Sequence, residues 1–598
     1  MKKMNERKKA VRFFCIAMAV LLFSSIMIWG FQTDWGYVKI ERLMLNAPDG
    51  SKLSTLIYIP DTATPETPAP AAVICHGRSN QAHSNDTWCM ELARRGYVVL
   101  SPDLSGGGES DVVDRDMQSL TTAKYALTLD IIDKDQFNLL GYSKGCTSAI
   151  TAAYALADQV NTVMLVLGPF MVRNNFDMIS SLLREHDVDV ATIKADADQY
   201  DYMLIGDGPE CRKFVKEKLN LPVDIVPEQD IQLGETSIFR YYEVTGTMHQ
   251  TGNISADSIS AILDFENDFN NAPIQRENTD QAWLPQQIFS GIACVTMMFA
   301  LAAAINLLMQ LDFFKSTMSF KRAPRKEQRG LKAWVLDILF AVAIPALLFI
   351  KVSTWGINWF ANSKILTSTN LNGIMLWLLV AMCLIGLIRL AIRTYRRKAA
   401  GEVIAASDFC LAPQGGKFYW PNVGKAFIIG IVCTAFFGLW MAAMEGYMGI
   451  NYQVWNVSTY LKPSPERIVK AIPYIIIIMI VMFSGNISQR VLPSTGNERR
   501  DMWIAVTVNS VLTAFALFLL LVIQYGGSLI VATGWVPFEG VNGSTGALDF
   551  AFGYCYMMGG TTGVVTYLYR KHGNVLCGVI PASIFCGLFT LLSFTLVR

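Results

Sequence analysis

The chain has 598 residues, 52% of them hydrophobic and 17% charged, with 50 Lys and Arg against 49 Asp and Glu. That length is too great for one domain, and that apolar share excludes an ordinary soluble protein, so part of the chain belongs in a membrane. The near-neutral total hides an asymmetry: residues 32–284 hold about 37 acidic against about 19 basic side chains, and the remainder is correspondingly basic. No nucleic-acid-binding patch stands out in the acidic part. Elsewhere Lys and Arg sit in short loops between apolar runs, as positive-inside topology arranges them. The twelve cysteines include no C-x-x-C pair, which indicates neither a zinc site nor a disulfide framework. Cys75, Cys89, Cys146 and Cys211 read as small buried hydrophobes.

Residues 1–12, with Lys2, Lys3, Arg7, Lys8, Lys9 and Arg12, read as a cytoplasmic N-terminus. The apolar run 13–31 lacks a small-x-small cleavage site before Gln32 and reads as an uncleaved signal-anchor helix. Residues 32–284 are then delivered outside. Within them, 38–45 and 52–59 alternate like an antiparallel pair joined at Pro48-Asp49-Gly50. A Pro/Thr-rich link, 60–70, leads to a short apolar run at 71–75 of the kind buried in a parallel sheet. Helices near 86–95 and 117–132 then alternate with strands at 97–101 and 160–167, with another strand ending near Gly141 and its helix at 146–157. This βαβα order predicts an α/β fold with a doubly wound, mostly parallel sheet.

From residue 285 to 598 the chain reads as a polytopic, all-α transmembrane bundle. Eight apolar runs near 287–311, 333–352, 371–392, 425–449, 469–487, 502–524, 547–568 and 575–597 are each long enough to cross a bilayer, making nine spans with the anchor. Three connections are basic: 312–332 (Lys315, Lys321, Arg322, Arg325, Lys326, Arg329), 393–424 (Arg393, Arg396, Arg397, Lys398) and 488–501 (Arg490, Arg499, Arg500). If every run crosses once, all three lie on the cytoplasmic side of the plasma membrane, and the acidic domain and the C-terminus lie outside. Asp337 and Glu445 fall in or near apolar runs, as interfacial residues or as members of a pathway or helix pair. The stretch 557–563, Met-Met-Gly-Gly-Thr-Thr-Gly, suits close helix packing.

The chemistry centres on residues 137–145, where an apolar run ends in Gly141-Tyr142-Ser143-Lys144-Gly145 ahead of a helix. This is the strand, turn and helix setting of a nucleophile elbow, with Ser143 as candidate nucleophile. A serine hydroxyl needs a base, a group that holds the base and amides that stabilise an oxyanion. Of five histidines, only His249 lies beyond Ser143 after a strand-like run, 239–244, and before a helix-compatible stretch, 255–269. His76 reads as structural and His186 as solvent-facing. For the acid, Asp198 sits where a strand near 187–200 runs into a turn, with Asp224, Asp207 and Asp196 as rivals. Backbone amides of Arg78, after the strand ending at Cys75, and of Lys144 are the candidate oxyanion donors.

The order Ser, Asp, His, the His76-Gly77 turn, and the loop Asp103-Leu104-Ser105-Gly106-Gly107-Gly108-Glu109-Ser110 together resemble the α/β-hydrolase superfamily over roughly 38–270. Gly107 stands where that family often has histidine. The resemblance implies a serine hydrolase of esterase, lipase or peptidase type, with no metal or organic cofactor. Its substrate would be an acyl ester or amide, a lipid or cell-envelope component included. Residues 170–187 fall where the family places a lid, and read equally well as a packed core helix. A different reading keeps the topology and makes the outer domain a catalytically silent binding module on a transporter.

Overall fold

Short strands buried on both faces organise the first half of the chain. The computed structural model describes residues 2–318, 331–409, 411–412, 417–455, 457–486, 494–538 and 544–597. Lys321, Arg322, Arg325, Lys326, Arg329 and Arg490 lie outside the described residues. Strands β1 (Val38–Asn46) and β2 (Lys52–Pro60) form an antiparallel hairpin turning at Gly50, whose φ of 82° disfavours any residue with a Cβ. With β3 (Ala69–Cys75), β4 (Val98–Pro102), β5 (Ile132–Tyr142), β6 (Thr162–Val166), β7 (Asp189–Ala197), β8 (Asp230–Gln232) and β9 (Ile238–Met248) they make one sheet. Its order is β1-β2-β4-β3-β5-β6-β7-β9-β8. The six strands from β4 to β9 in that order are parallel, and antiparallel pairing is confined to the margins.

Side chains point to opposite faces at successive positions, so β3 gives Ala71, Val73 and Cys75 to one face and Ala72 and Ile74 to the other. After the N-terminal helix α1 (Lys2–Gln32), the sheet's helices are α2 (Asp86–Ala93), α3 (Arg115–Ala126), α4 (Lys144–Ala155), α5 (Phe176–Glu185), α6 (Gln199–Leu204), α7 (Gly208–Leu219) and α8 (Ala256–Phe269). Helices α3, α4, α5 and α7 cover the first face through Ala123, Ala149, Ile179 and Val215. Helices α2 and α8 cover the second through Trp88, Ile259 and Phe265. Cys75, Cys89, Cys146 and Cys211 are buried.

Local differences from the sequence reading have simple causes. The helix expected over 117–132 stops at Ala126, because tight turns through Leu127 and Thr128 redirect the chain into β5 at Ile132. The segment 170–187 is not a detached lid: α5 buries Phe176, Ile179, Leu182 and Leu183 in the core.

The second half is a helical bundle: α9 (Trp283–Leu308), α10 (Leu331–Trp359), α11 (Thr369–Ala399), α12 (Pro421–Met448), α13 (Pro465–Asn486), α14 (Glu498–Val531), α15 (Ser544–Asp549), α16 (Phe552–His572) and α17 (Leu576–Leu592). A two-stranded hairpin, β10 (Tyr452–Val454) and β11 (Val457–Tyr460), lies between α12 and α13. Seven helices among the described residues, α1 and α9–α14, are long and apolar enough to cross a membrane, where nine were expected. Gly, Thr and Tyr dilute the apolar character of α16. At 17 residues, α17 spans only about 26 Å at 1.5 Å per residue. Large apolar side chains on the long helices face outward, with Leu347 82% and Ile530 85% exposed, which favours a lipid surround over water. Close approaches at Gly559 and Gly563 set α16 against Ser510 of α14. Asp337 of α10 pairs with Arg389 of α11 at 3.1 Å.

The sheet half is docked on one end of the bundle. Arg42 of β1 donates to Asp103 and to Glu445, in the last turn of α12, each at 2.7 Å. Lys462, after β11, pairs with Glu109 at 2.9 Å. Asn370 of α11 meets Ser79 at 2.7 Å, and Arg467 of α13 donates to the carbonyls of Gly106 and Gly108. Beyond α17, the amide of Leu596 donates to the Gly106 carbonyl at 2.9 Å. The Gly-rich turn after β4 thereby holds both α13 and the chain's last residues. The connections reaching the sheet half are those free of the basic clusters around 393–398 and 499–500.

Candidate active site

Strand β5 ends at Tyr142 and α4 begins at Lys144, leaving Ser143 alone to make the turn. Its φ of 52° and ψ of −120° are a conformation that costs a non-glycine residue about 1–3 kcal/mol. The flanking glycines are required by close approach. A Cβ at Gly145 would stand 2.0 Å from the Cys75 carbonyl oxygen, and one at Gly141 would stand 2.5 Å from the Cys146 amide. The Ser143 amide donates to the Val166 carbonyl at 2.9 Å, tying the turn to β6.

Strands β7 and β9 end beside this turn. His249 follows β9 directly, and its Nε2 lies 2.8 Å from Ser143 Oγ. Its Nδ1 lies 2.8 Å from Oδ2 of Asp198, which follows β7 and caps α6. Asp198 is fully buried, and its Oδ1 accepts the amides of Tyr200 at 2.8 Å and Asp201 at 3.3 Å. The rival carboxylates are engaged elsewhere. Asp224 is exposed on Lys216, Asp207 caps α7, and Asp196 accepts the amides of Gly246 and Thr247. His76 is buried in the turn after β3, with Nδ1 donating to the Gly77 carbonyl and Nε2 accepting the Leu104 amide, each at 2.8 Å. Burial, with the neighbouring Arg115 guanidinium, pushes this imidazole down to about 3, so it is a neutral strut. His186 is half-buried and paired with Asp158 at 2.9 Å.

Burial works against the charged form of His249, yet the Asp198 carboxylate, aided by Asp201 and Asp549, holds this imidazole above its ordinary value. The ring is fixed by aromatic neighbours: Tyr142 stacks on it at 5.7 Å, while Tyr200 and Phe170 meet it edge-on at 4.7 and 5.3 Å. Asp201 accepts the Phe170 amide at 3.0 Å, and burial with Asp198 close by pushes its carboxyl up to about 8.

Ser143 and His249 open onto a cavity of about 390 Å³. Arg78 and Lys144 line it beside the serine, where the two candidate oxyanion amides belong. Burial and the charges of Arg115 and Arg78 hold the Lys144 ammonium below its ordinary value. Among the described residues no group of three or more His, Cys, Asp or Glu is placed to hold a metal ion.

Residues 70–187 match the family model described as alpha/beta hydrolase fold. The sheet half has the alpha/beta hydrolase fold. Among solved structures, one titled "Ferulic Acid bound to Est1E from Butyrivibrio proteoclasticus" is similar at 14% identity, over 38% of this chain and 97% of its own, with a TM-score of 0.29. An esterase of Pyrobaculum calidifontis is similar at 15% identity, over 43% of this chain and 92% of its own, with a TM-score of 0.30. A thioesterase domain from the curacin biosynthetic pathway is similar at 14% identity, over 38% of this chain and 99% of its own, with a TM-score of 0.27. No curated protein matches the chain.

The hydrolase half does not build the cavity alone. Asp549, at the end of α15, accepts from the hydroxyls of Tyr200 and Tyr525 and from Gln250 Nε2 at 3.0 Å. A bundle carboxylate therefore holds Tyr200, which meets the His249 ring, and Gln250, the next residue in the chain. Trp455, on the β10–β11 hairpin, donates its indole N–H to the Gln250 carbonyl. These residues carry no motif. The one signal in the sequence was an acidic residue within the apolar run at 547–568.

Proposed function

We propose that the protein is a membrane-anchored serine hydrolase that cleaves an ester, or an amide, by way of an acyl-enzyme. The observation that carries this reading is the hydrogen-bonded series Ser143, His249 and Asp198, with 2.8 Å at each step, on a serine held at positive φ. In the reaction His249 Nε2 takes the Ser143 proton as Oγ attacks the carbonyl carbon. The amides of Arg78 and Lys144 stabilise the resulting oxyanion. The carbon–oxygen or carbon–nitrogen bond to the leaving group breaks, and His249 returns the proton to it. Water, deprotonated by the same imidazole, then releases the acid. Asp198 keeps Nδ1 protonated and stabilises the imidazolium.

In this reading residues 1–12 are cytoplasmic, 13–31 the anchor, 32–284 the extracytoplasmic hydrolase domain and 285–598 the membrane domain, all in the plasma membrane. The basic clusters lying away from the hydrolase domain support that orientation. Labelling with a fluorophosphonate tests the chemistry. The folded full-length protein should be modified and Ser143→Ala should not. A folded wild-type protein that resists the probe would sink the enzyme reading in favour of a binding module.

A further inference from the structure

The cavity has two walls of different origin. Gly77, Arg78, Tyr142 and Ser143 belong to the hydrolase wall. The facing wall comes from the bundle, where Phe550, Phe552, Tyr554, Met557 and Phe594 line the space. The carboxylate and the serine of this second wall are already used, whereas the buried Tyr554 hydroxyl has no hydrogen-bond partner among the described residues. The Asp549 carboxylate is occupied by Tyr200, Tyr525 and Gln250, and Ser593 Oγ donates to the Phe589 carbonyl at 2.9 Å. Apart from that hydroxyl, what the bundle offers a ligand is aromatic rings and a thioether, a surface suited mainly to methylene groups. The helices that carry it, α16 and α17, pack among the outward-apolar helices of the bundle.

We propose that the bundle wall is the acyl-chain site, and that the substrate is a long-chain acyl ester of a membrane lipid, its carbonyl at Ser143 and its chain along Met557 and Phe594. This rests on the serine-hydrolase reading above and adds the substrate class to it. It also assigns the bundle a part in the site: without it the chain would lie in water.

The test uses full-length protein in phospholipid nanodiscs with p-nitrophenyl acetate and p-nitrophenyl decanoate. Burial of one methylene is worth about a factor of four, so kcat/KM for decanoate should exceed that for acetate by at least about 100-fold. Met557→Trp, which fills the chain side, should lower that ratio at least tenfold while fluorophosphonate labelling of Ser143 persists. Ser593→Phe intrudes from a half-buried position at the end of α17 and should act in the same direction if Met557→Trp does not fold. A labelled wild-type protein with less than a tenfold chain preference, or a ratio unmoved in a labelled variant, overturns the acyl-site assignment. Fatty acid released from a diacyl phospholipid in the same discs supports the bilayer as source. Chain preference without such release overturns that source. Failure of wild-type labelling overturns the enzyme reading instead, so the two failures are distinct.

Discussion

Replacing Asp198 by Asn preserves size but reverses what the site asks of its histidine. Oδ1 of Asp198 accepts two backbone amides, from Tyr200 and Asp201, so the Asn side chain must leave its oxygen there and turn its NH₂ toward His249. That NH₂ can only donate. The imidazole must then offer Nδ1 as acceptor and carry its proton on Nε2, facing Ser143 Oγ, where it cannot receive another. Breaking a buried charge pair of this kind costs about 3–5 kcal/mol. At about 1.36 kcal/mol per decade of rate, kcat should fall by roughly 10²–10⁴-fold. The pH profile should move too. With the carboxylate in place the imidazole titrates above its ordinary 6.5, so the acid limb of kcat/KM lies above that value. Without it, burial dominates and the limb shifts downward. Hydrolysis of a p-nitrophenyl ester from pH 5 to 9 measures both. A loss smaller than tenfold, or an acid limb that stays in place, would refute the assignment of Asp198.

His249→Ala should reduce turnover by at least about 10³-fold at unchanged thermal stability, and wild-type-like rates would place the base elsewhere. Glu266 is buried on Thr162 and Asn270, and burial pushes its carboxyl up to about 8. The folded form stays protonated while the unfolded one ionises above about 4.5, so stability falls as pH rises from about 4.5 to about 8. Glu266→Gln should therefore raise the inactivation temperature at pH 8 and change it little at pH 4.5; an equal effect at both would contradict this. Cysteines placed at Asp61 and Lys398, with exposed Cys15 changed to Ser, report topology. Maleimide should reach residue 61 on intact cells and residue 398 only after permeabilisation, and the opposite pattern would invert the orientation.

What could be read from the sequence is local by nature. The elbow is visible because Gly141 and Gly145 meet backbone atoms supplied within their own strand–turn–helix unit or by the adjoining β3, a requirement that leaves a five-residue trace. His249 and Asp198 were legible through chain order and the strand-like runs before them. The aromatic box around the imidazole was not, since Tyr142 ends β5, Phe170 follows β6 and Tyr200 lies in α6, and the three share no spacing. Asp549 was hidden for the same reason: it is 300 residues from His249 in sequence, and only tertiary packing brings it to Gln250. The span count differed because α16 packs through glycines and threonines, which lower its apolarity while fitting it closely against α14.

Shared ownership of the cavity has a bearing on biosynthesis. Ser143 emerges from the ribosome about 450 residues before Phe594, so the nascent sheet half can fold while the pocket still lacks its ceiling. Under the serine-hydrolase reading, full activity would then wait until α17 and the segment reaching Gly106 settle into place. An excised fragment of residues 32–284 would hold the serine, imidazole and carboxylate in an open trough, and its turnover would be a poor guide to that of the intact chain.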